Sequence, residues 1–569
     1  MRVRVVGLFA VLLAGVYLAL PAMGSDLSAQ VARADFFAAH GLRPVDLRWY
    51  GGVNQFGYSL VSPAVMALIG VRVTGALSLV GSALAFAALL FRTGVPRPLL
   101  GGLVGAVCIA GNLVSGRVTY ALGVAFALGA LVALTARPAW LRYGGAAAGA
   151  VLAAAASPVA GLFTGLAGVA LLLGKRRDGA APNGSLGRAA PKATPSLAPR
   201  TDFVGPSLSP GAAAPVPSLT ERLDGAVLAA GAAVPLAVTS LLFGEGGWMN
   251  ISRTDTIHAV VTSLAVALLV GYRPVRAGAL ISAAGVLAAA LVHTPGGLYP
   301  SGLDTMFALP VRAAGARLPR PPAGARTPRI TARVRIPRRI RRRWAAAGLV
   351  AVLTLGYWWQ PPVVWADLRD AGNPTSDRAY FAPLLAELRA RRPAGRIEVP
   401  PTRDYWEAAY MDGFPLARGW MRQVDIARNP LFFETVPGAS GTGVALTEPA
   451  YRAWLAENAV TYVAIPDAQL SWVGRAEVDL VRSTMTEVWS NEHWHLYEVP
   501  TPVPLVAAPA TLVTQDAASL TFDAPAAGPY KIRVRYSRWL TVTGDARLAA
   551  DRDWLVVSVP APGHYTISS

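Results

Sequence analysis

Acidic residues are scarce in the first 361 residues of this 569-residue chain, and their positions bound the chemistry it can do. Only 10 Asp and Glu occur there, all in loops or at the ends of apolar runs. A carboxylate at the centre of a bilayer costs about 2.5–3.5 kcal/mol on insertion scales, so acids mark loops or functional cavities. Asp26, Asp35 and Asp46 crowd into one stretch, GSDLSAQVARADFFAAHGLRPVDLRWYGGVNQFGYSLVSP. A carboxylate there can serve as a general base, and cations or N–H donors can hold an anion such as a phosphate. The stretch offers Asp26 as the base and Asp46 as a second acid that orients an acceptor or a metal. Arg48, with Arg117 further along, can meet a phosphate, and Tyr50 and Tyr58 can line a substrate. Two aromatic and charged segments near the C-terminus, TRDYWEAAY and LARGWMRQVD, add Trp406, Arg418 and Trp420 as acceptor contacts.

Each residue also has a plainer reading. Asp is a preferred helix N-cap, so Asp26 can simply start a helix over 26–40. Arg48 can pair with Asp46, Trp49 and Tyr50 can anchor at an interface, and Arg117 can snorkel from a short hairpin. Asp35 reads as solvent-facing and Glu245 as a turn residue. Trp406, Arg418 and Trp420 suit an interdomain interface as well as a glycan. His493 and His495 share a strand face without a third ligand, so no metal site is expected from them.

The elements that must position these residues are mostly apolar helices. The chain is 53% hydrophobic and 15% charged, the balance of a membrane protein. Runs of bilayer length are expected at about 4–22, 71–91, 99–115, 118–135, 143–157, 158–174, 224–243, 256–271, 277–293, 303–316 and 344–360. The net charge of +19 divides unevenly: residues 1–361 carry +23 and residues 362–569 carry −4. The basic excess lies in loops between spans, which is an orientation signal and not a nucleic-acid footprint. Arg2 and Arg4, the later basic loops, and eleven arginines without an acid in 317–343 all fall inside if eleven spans are counted. The N-terminus is then cytoplasmic, and the 23–70 loop and the C-terminal region are extracytoplasmic. The first span is a retained anchor in this reading, with a cleaved signal peptide ending near Ala22-Met23-Gly24 as the alternative.

The expected organisation is a transmembrane domain over 1–361, a mixed α/β domain over 362–502 and a small β-sandwich over 503–569. FAPLLAELRARR and EPAYRAWLAENAV read as helices, GRIEVPP and VTYVAIPD as short buried strands. LTFDAP, YKIRVRYS, WLVVSVP and HYTISS alternate as sandwich strands do. Residues 178–220 are rich in Pro, Ala, Ser and Gly and read as a disordered cytoplasmic linker. The single cysteine, Cys108, rules out an internal disulfide. The heavy use of Ala, Gly, Pro and Arg fits a GC-rich, actinobacterial-like genome.

A long first outer loop with an acid just after the first span resembles the GT-C superfamily of membrane glycosyltransferases. The layout SDLSAQVARADFF…RWYGG…GYSLVSP, with SGRVTYALG at 115–123, is also similar to bacterial membrane proteins of the YfhO-like and 6-pyruvoyl-tetrahydropterin-synthase-related groups. The resemblance implies transfer of a sugar from a polyprenyl-phosphate donor to an envelope glycan or lipid on the outer face. Here Asp26 is followed by Leu27 and Ser28, so a strict acid-x-acid pair is missing and a divalent metal stays open.

No P-loop, GxSxG elbow, HExxH or dinucleotide fingerprint occurs, which argues against an ATP-driven pump or a hydrolase of those types. Two other classes stay in play. A transporter or flippase would place ionisable residues at mid-membrane, where no span has an acid. A non-catalytic envelope scaffold would use the outer region to bind glycan or protein.

Overall fold

A computed structural model describes residues 2–173, 222–292, 300–316 and 338–569. The expected linker at 178–220, and the arginine-rich loop as far as residue 337, lie outside the described residues.

Apolar runs give helices because each turn satisfies its own backbone, and every expected span coincides with one. The first is α1 (Arg2–Ala19), and the loop after it holds α2 (Leu27–His40) and α3 (Ser62–Ile69). Then come α4 (Val71–Arg92), α5 (Pro98–Val114), α6 (Val118–Ala133), α7 (Gly145–Ala156), α8 (Pro158–Leu173) and α9 (Arg222–Phe243). They continue as α10 (Arg253–Leu269), α11 (Arg273–Leu291), α12 (Pro300–Gly315) and α13 (Arg338–Trp359). Four of these, α1, α4, α9 and α11, are long and apolar enough to cross a membrane, and α5, α6 and α8 are shorter apolar helices. Large apolar side chains such as Leu8, Leu77, Leu268 and Leu291 point outward, where a water-soluble surface would carry polar groups. Small residues set the helix spacing: a Cβ on Gly168 of α8 would lie 2.7 Å from the Gly225 carbonyl of α9. Any larger residue there would force the two backbones apart.

The region after α13 holds α14 (Trp365–Arg369), α15 (Arg378–Arg391), α16 (Glu407–Tyr410), α17 (Arg422–Arg428), α18 (Glu448–Glu457) and α19 (Arg475–Thr484). The first loop contributes a two-stranded ribbon of β1 (Val45–Asp46) and β2 (Val53–Asn54). Strands β3 (Arg396–Glu398), β4 (Val460–Pro466), β5 (Thr486–Ser490) and β6 (Trp494–Glu498) form a sheet in the order β3-β4-β6-β5. Its β3 and β4 are parallel, and the other pairs are antiparallel. The fully buried run of β4 fits a strand covered on both faces.

The last part alternates buried and open positions, as half-buried strands must. It contains β7 (Thr511–Gln515), β8 (Ser519–Ala524), β9 (Gly528–Arg535), β10 (Thr541–Val542), β11 (Arg547–Asp551), β12 (Trp554–Val559) and β13 (Gly563–Ser568). Two antiparallel sheets, β10-β13-β8-β7 and β11-β12-β9, enclose Leu520, Phe522, Ile532, Val557 and Ile567.

The helix expected over 26–40 forms, but not as a surface helix. Periodicity lays α2 on a membrane surface with Leu27, Val31, Ala34 and Phe37 facing down. The opposite face is buried too, including Ala29, Ala32 and Phe36. The region after α13 lies over α2, where the Ser28 hydroxyl donates to the Asp404 carbonyl at 2.7 Å, and within the first loop Arg48 Nη2 donates to the Ala32 carbonyl at 2.8 Å. The helix is a layer between the apolar helices and the sheet region.

Candidate functional site

Two glycines bring the end of α1 against the turn between α5 and α6. Gly24 and Gly116 adopt φ of +100° and +74°, where L side chains are strained. A Cβ on Gly24 would lie 2.3 Å from the Ser115 carbonyl carbon, and one on Gly116 would lie 2.4 Å from the Leu27 nitrogen. The Asp26 amide donates to the Ser115 carbonyl at 3.1 Å. This crossing sets Asp26 beside Arg117.

Asp26 occupies the N-cap position of α2, yet its side chain makes no capping hydrogen bond. Its Oδ2 instead accepts from Arg117 Nε at 3.0 Å. Protein surrounds both groups, but 23% of the Asp26 side chain and 39% of the Arg117 side chain stay accessible. A carboxylate diverted from its cap to a half-open ion pair can take a proton from a bound molecule. Burial raises the Asp26 pKa above the ordinary carboxylate value, and the charges of Arg117 and Arg422 oppose that rise. For Arg117 burial works against the charge, and Asp26 outweighs it, so its pKa is raised.

Side chains from four more segments close around this pair. The Trp420 indole N–H donates to the Ser25 carbonyl at 3.1 Å, and its ring meets Tyr58 edge-to-face at 5.6 Å. The Arg33 guanidinium lies 4.1 Å over the Tyr58 ring. Burial, then the nearby Asp26 charge, pushes the Tyr58 phenol up to about 12. Arg422, at the start of α17, is close enough to Tyr405 and Asp26 to act on both electrostatically. The pKa of Asp367 in α14 is raised by burial and by the Asp26 charge. Beyond it, burial and the nearby Asp370 charge push Asp404 up to about 7.

The structure therefore brings Asp26, Arg117, Tyr58 and Trp420 together, and it places the other expected site residues elsewhere. Asp46 is 0% exposed, and its oxygens accept from Arg48 Nε and Nη2 and from Gln55 Nε2 at 2.7–3.1 Å. Those bonds leave no open face for an acceptor or a metal. Arg48 is spent on that pair and on the Ala32 carbonyl. The Tyr50 hydroxyl is buried against the Gly419 and Met421 carbonyls. Trp406 is buried and stacked on Tyr410. Arg418 is buried between Glu398 and Glu477, with its guanidinium 3.7 Å over the Phe432 ring. Asp35 pairs with Arg378, and Glu245 pairs with Arg428. His493 pairs with Asp467 and His495 with Glu487. Among the described residues no three His, Cys, Asp or Glu side chains are grouped to hold a metal ion.

Asp367 and Arg422 were not expected from the sequence. Asp367 carries the same signal as Asp26, an acid just beyond an apolar helix, in VVWADLRD. Arg422 carries none, because only the fold brings α17 to the end of α1.

No family model matches the chain, and no curated protein matches it. Among solved structures it is similar to the arabinofuranosyltransferase AftD from Mycobacteria, with a TM-score of 0.42 and 14% identity. The alignment covers 92% of this chain and 41% of that one, so the chain spans about two fifths of the length of AftD.

Proposed function

We propose that the chain is a membrane glycosyltransferase of the GT-C type, transferring a sugar from a polyprenyl-phosphate donor to an envelope glycan or lipid on the outer face. The observation that carries this reading is the uncapped Asp26 carboxylate paired with Arg117 at the boundary between apolar helices and the outer region. In the proposed topology eleven spans leave the N-terminus in the cytoplasm and the region after α13 outside, as the loop charges require.

In the transfer step Asp26 takes the proton of the acceptor hydroxyl. The acceptor oxygen bonds the anomeric carbon while the bond from that carbon to the phosphate oxygen breaks. The electron pair leaves with the lipid phosphate, which Arg117 and Arg422 stabilise. Tyr58 and Trp420 offer ring faces and edges to the sugar. Asp46 and Arg48 brace α2 and have no part in the step. The raised Asp26 pKa suits a base, which must accept a proton near the working pH.

The test supplies membranes or proteoliposomes holding the full chain with radiolabelled polyprenyl-phosphate sugars. Label should reach an organic-insoluble or lipid acceptor with wild type and not with Asp26→Ala. Equal incorporation by both would refute the assignment. A transporter would move the lipid-linked sugar between leaflets without cleaving it, and the same assay separates the two.

A further inference from the structure

A second polar cavity, of about 300 Å³, opens where the sandwich meets the end of α9. Arg428, Arg535 and Arg538 line it, with Glu245 as the acid among them. Glu245 is cancelled by its pair with Arg428 and also accepts from the Asn54 amide. Arg535 pairs with Asp553, whose side chain is 71% exposed and well screened. Arg538 spends only Nη2, on the carbonyls of Leu241 and Leu242 at 2.8 and 3.0 Å. The cavity thus holds more cation than acid.

A second, independent feature says what kind of anion fits. Trp539, which lines the cavity, begins a ring ladder with Phe243 and Phe56, with centroids 5.0 and 5.2 Å apart, as aromatic belts do at a membrane interface. Directly below, α9 exposes Val234 (62%), Val238 (36%) and Leu241 (75%). Their spacing puts them on one helical face, a stripe that leads up to the arginines. Apolar chains would lie along that stripe while a negative headgroup entered the cavity.

We infer that this cavity is a binding site for the phosphate headgroup of an anionic membrane lipid, held by Arg535 and Arg538 with its tails along α9. The inference rests on the outward orientation of α9 proposed above, but not on the chemistry at Asp26. The lipid phosphate sits at the level of the ring ladder, and the bound lipid ties the sandwich to the membrane surface.

The probe is the full chain in nanodiscs of mixed phosphatidylglycerol and phosphatidylcholine, with retained lipids counted by native mass spectrometry after detergent exchange. The basic loops hold anionic lipid nonspecifically, so the readout is the difference between variants. Wild type should keep one more tightly held phosphatidylglycerol than R538Q, with apparent affinity roughly tenfold lower in the variant, as for loss of one charge-assisted bond. R538K keeps the charge and should keep the lipid, which guards against misfolding as the cause. Identical retention by wild type and R538Q, both folded, would overturn the inference. So would displacement of the site's preference by inorganic phosphate with no dependence on lipid. Unchanged sugar transfer in D26N, with the lipid difference between wild type and R538Q still present, would sink the Asp26 reading and leave this site standing, so the two readings fail separately.

Discussion

Replacing Asp26 by Asn separates catalysis from helix capping more sharply than any other single change. Asn keeps the volume and still offers an oxygen to Arg117 Nε, but it cannot take a proton. A positioned general base contributes about 100- to 10,000-fold, or roughly 2.7–5.4 kcal/mol of barrier. The stability side of the ledger is small. Asp26 makes no capping bond, so no cap energy is lost. Its pair with Arg117, whose side chain is 39% exposed, is screened by solvent and worth no more than about 1 kcal/mol. D26N should therefore fold and melt within a few degrees of wild type while transfer from a labelled polyprenyl-phosphate sugar falls at least about 100-fold. The assay is initial-rate incorporation by purified full chain in proteoliposomes, with thermal melting of the same samples. Transfer within about threefold of wild type, under 1 kcal/mol of barrier, would show that Asp26 only starts α2.

The remaining predictions concern the surroundings of this group. Asp46→Ala strands the largely buried Arg48 guanidinium and should cost about 3–5 kcal/mol of stability, read by chemical denaturation, while the folded fraction keeps its transfer rate. A second catalytic acid would give the opposite pattern. Burial pushes Glu407 up to about 8 from an ordinary 4.5, so the folded state holds a proton that the unfolded state releases between those values. Stability from this group is then full below pH 4.5 and is lost as pH rises to 8, and E407Q should raise the melting temperature more at pH 8.5 than at pH 5. Trp420→Ala removes the bond to the Ser25 carbonyl and the edge contact with Tyr58. It should raise KM roughly fivefold, with a smaller effect on kcat, in the same incorporation assay.

The positions of the apolar helices were legible in the sequence, because hydrophobic length acts locally. Each expected span coincides with a helix, and the strands LTFDAP, YKIRVRYS, WLVVSVP and HYTISS lie within the sandwich. Asp26 was legible for the same reason, as an acid set just past an apolar run. Its partner Arg117 was visible only as a basic residue in a short turn. The two meet because Gly24 and Gly116 let two backbones approach closer than any Cβ allows, a fact about crossing and not about either segment. The roles of Asp46, Arg48, Tyr50 and Arg418 were likewise undecided until folding. Such residue types suit a site and a brace equally, and only burial against Gln55, the Gly419 carbonyl and the two glutamates made them braces. Sequence determined that a charged loop stands at the end of an apolar helix. The tertiary structure decided which of its charges are enclosed and which keeps an accessible side, since that depends on partners distant in sequence, such as Arg117 for Asp26.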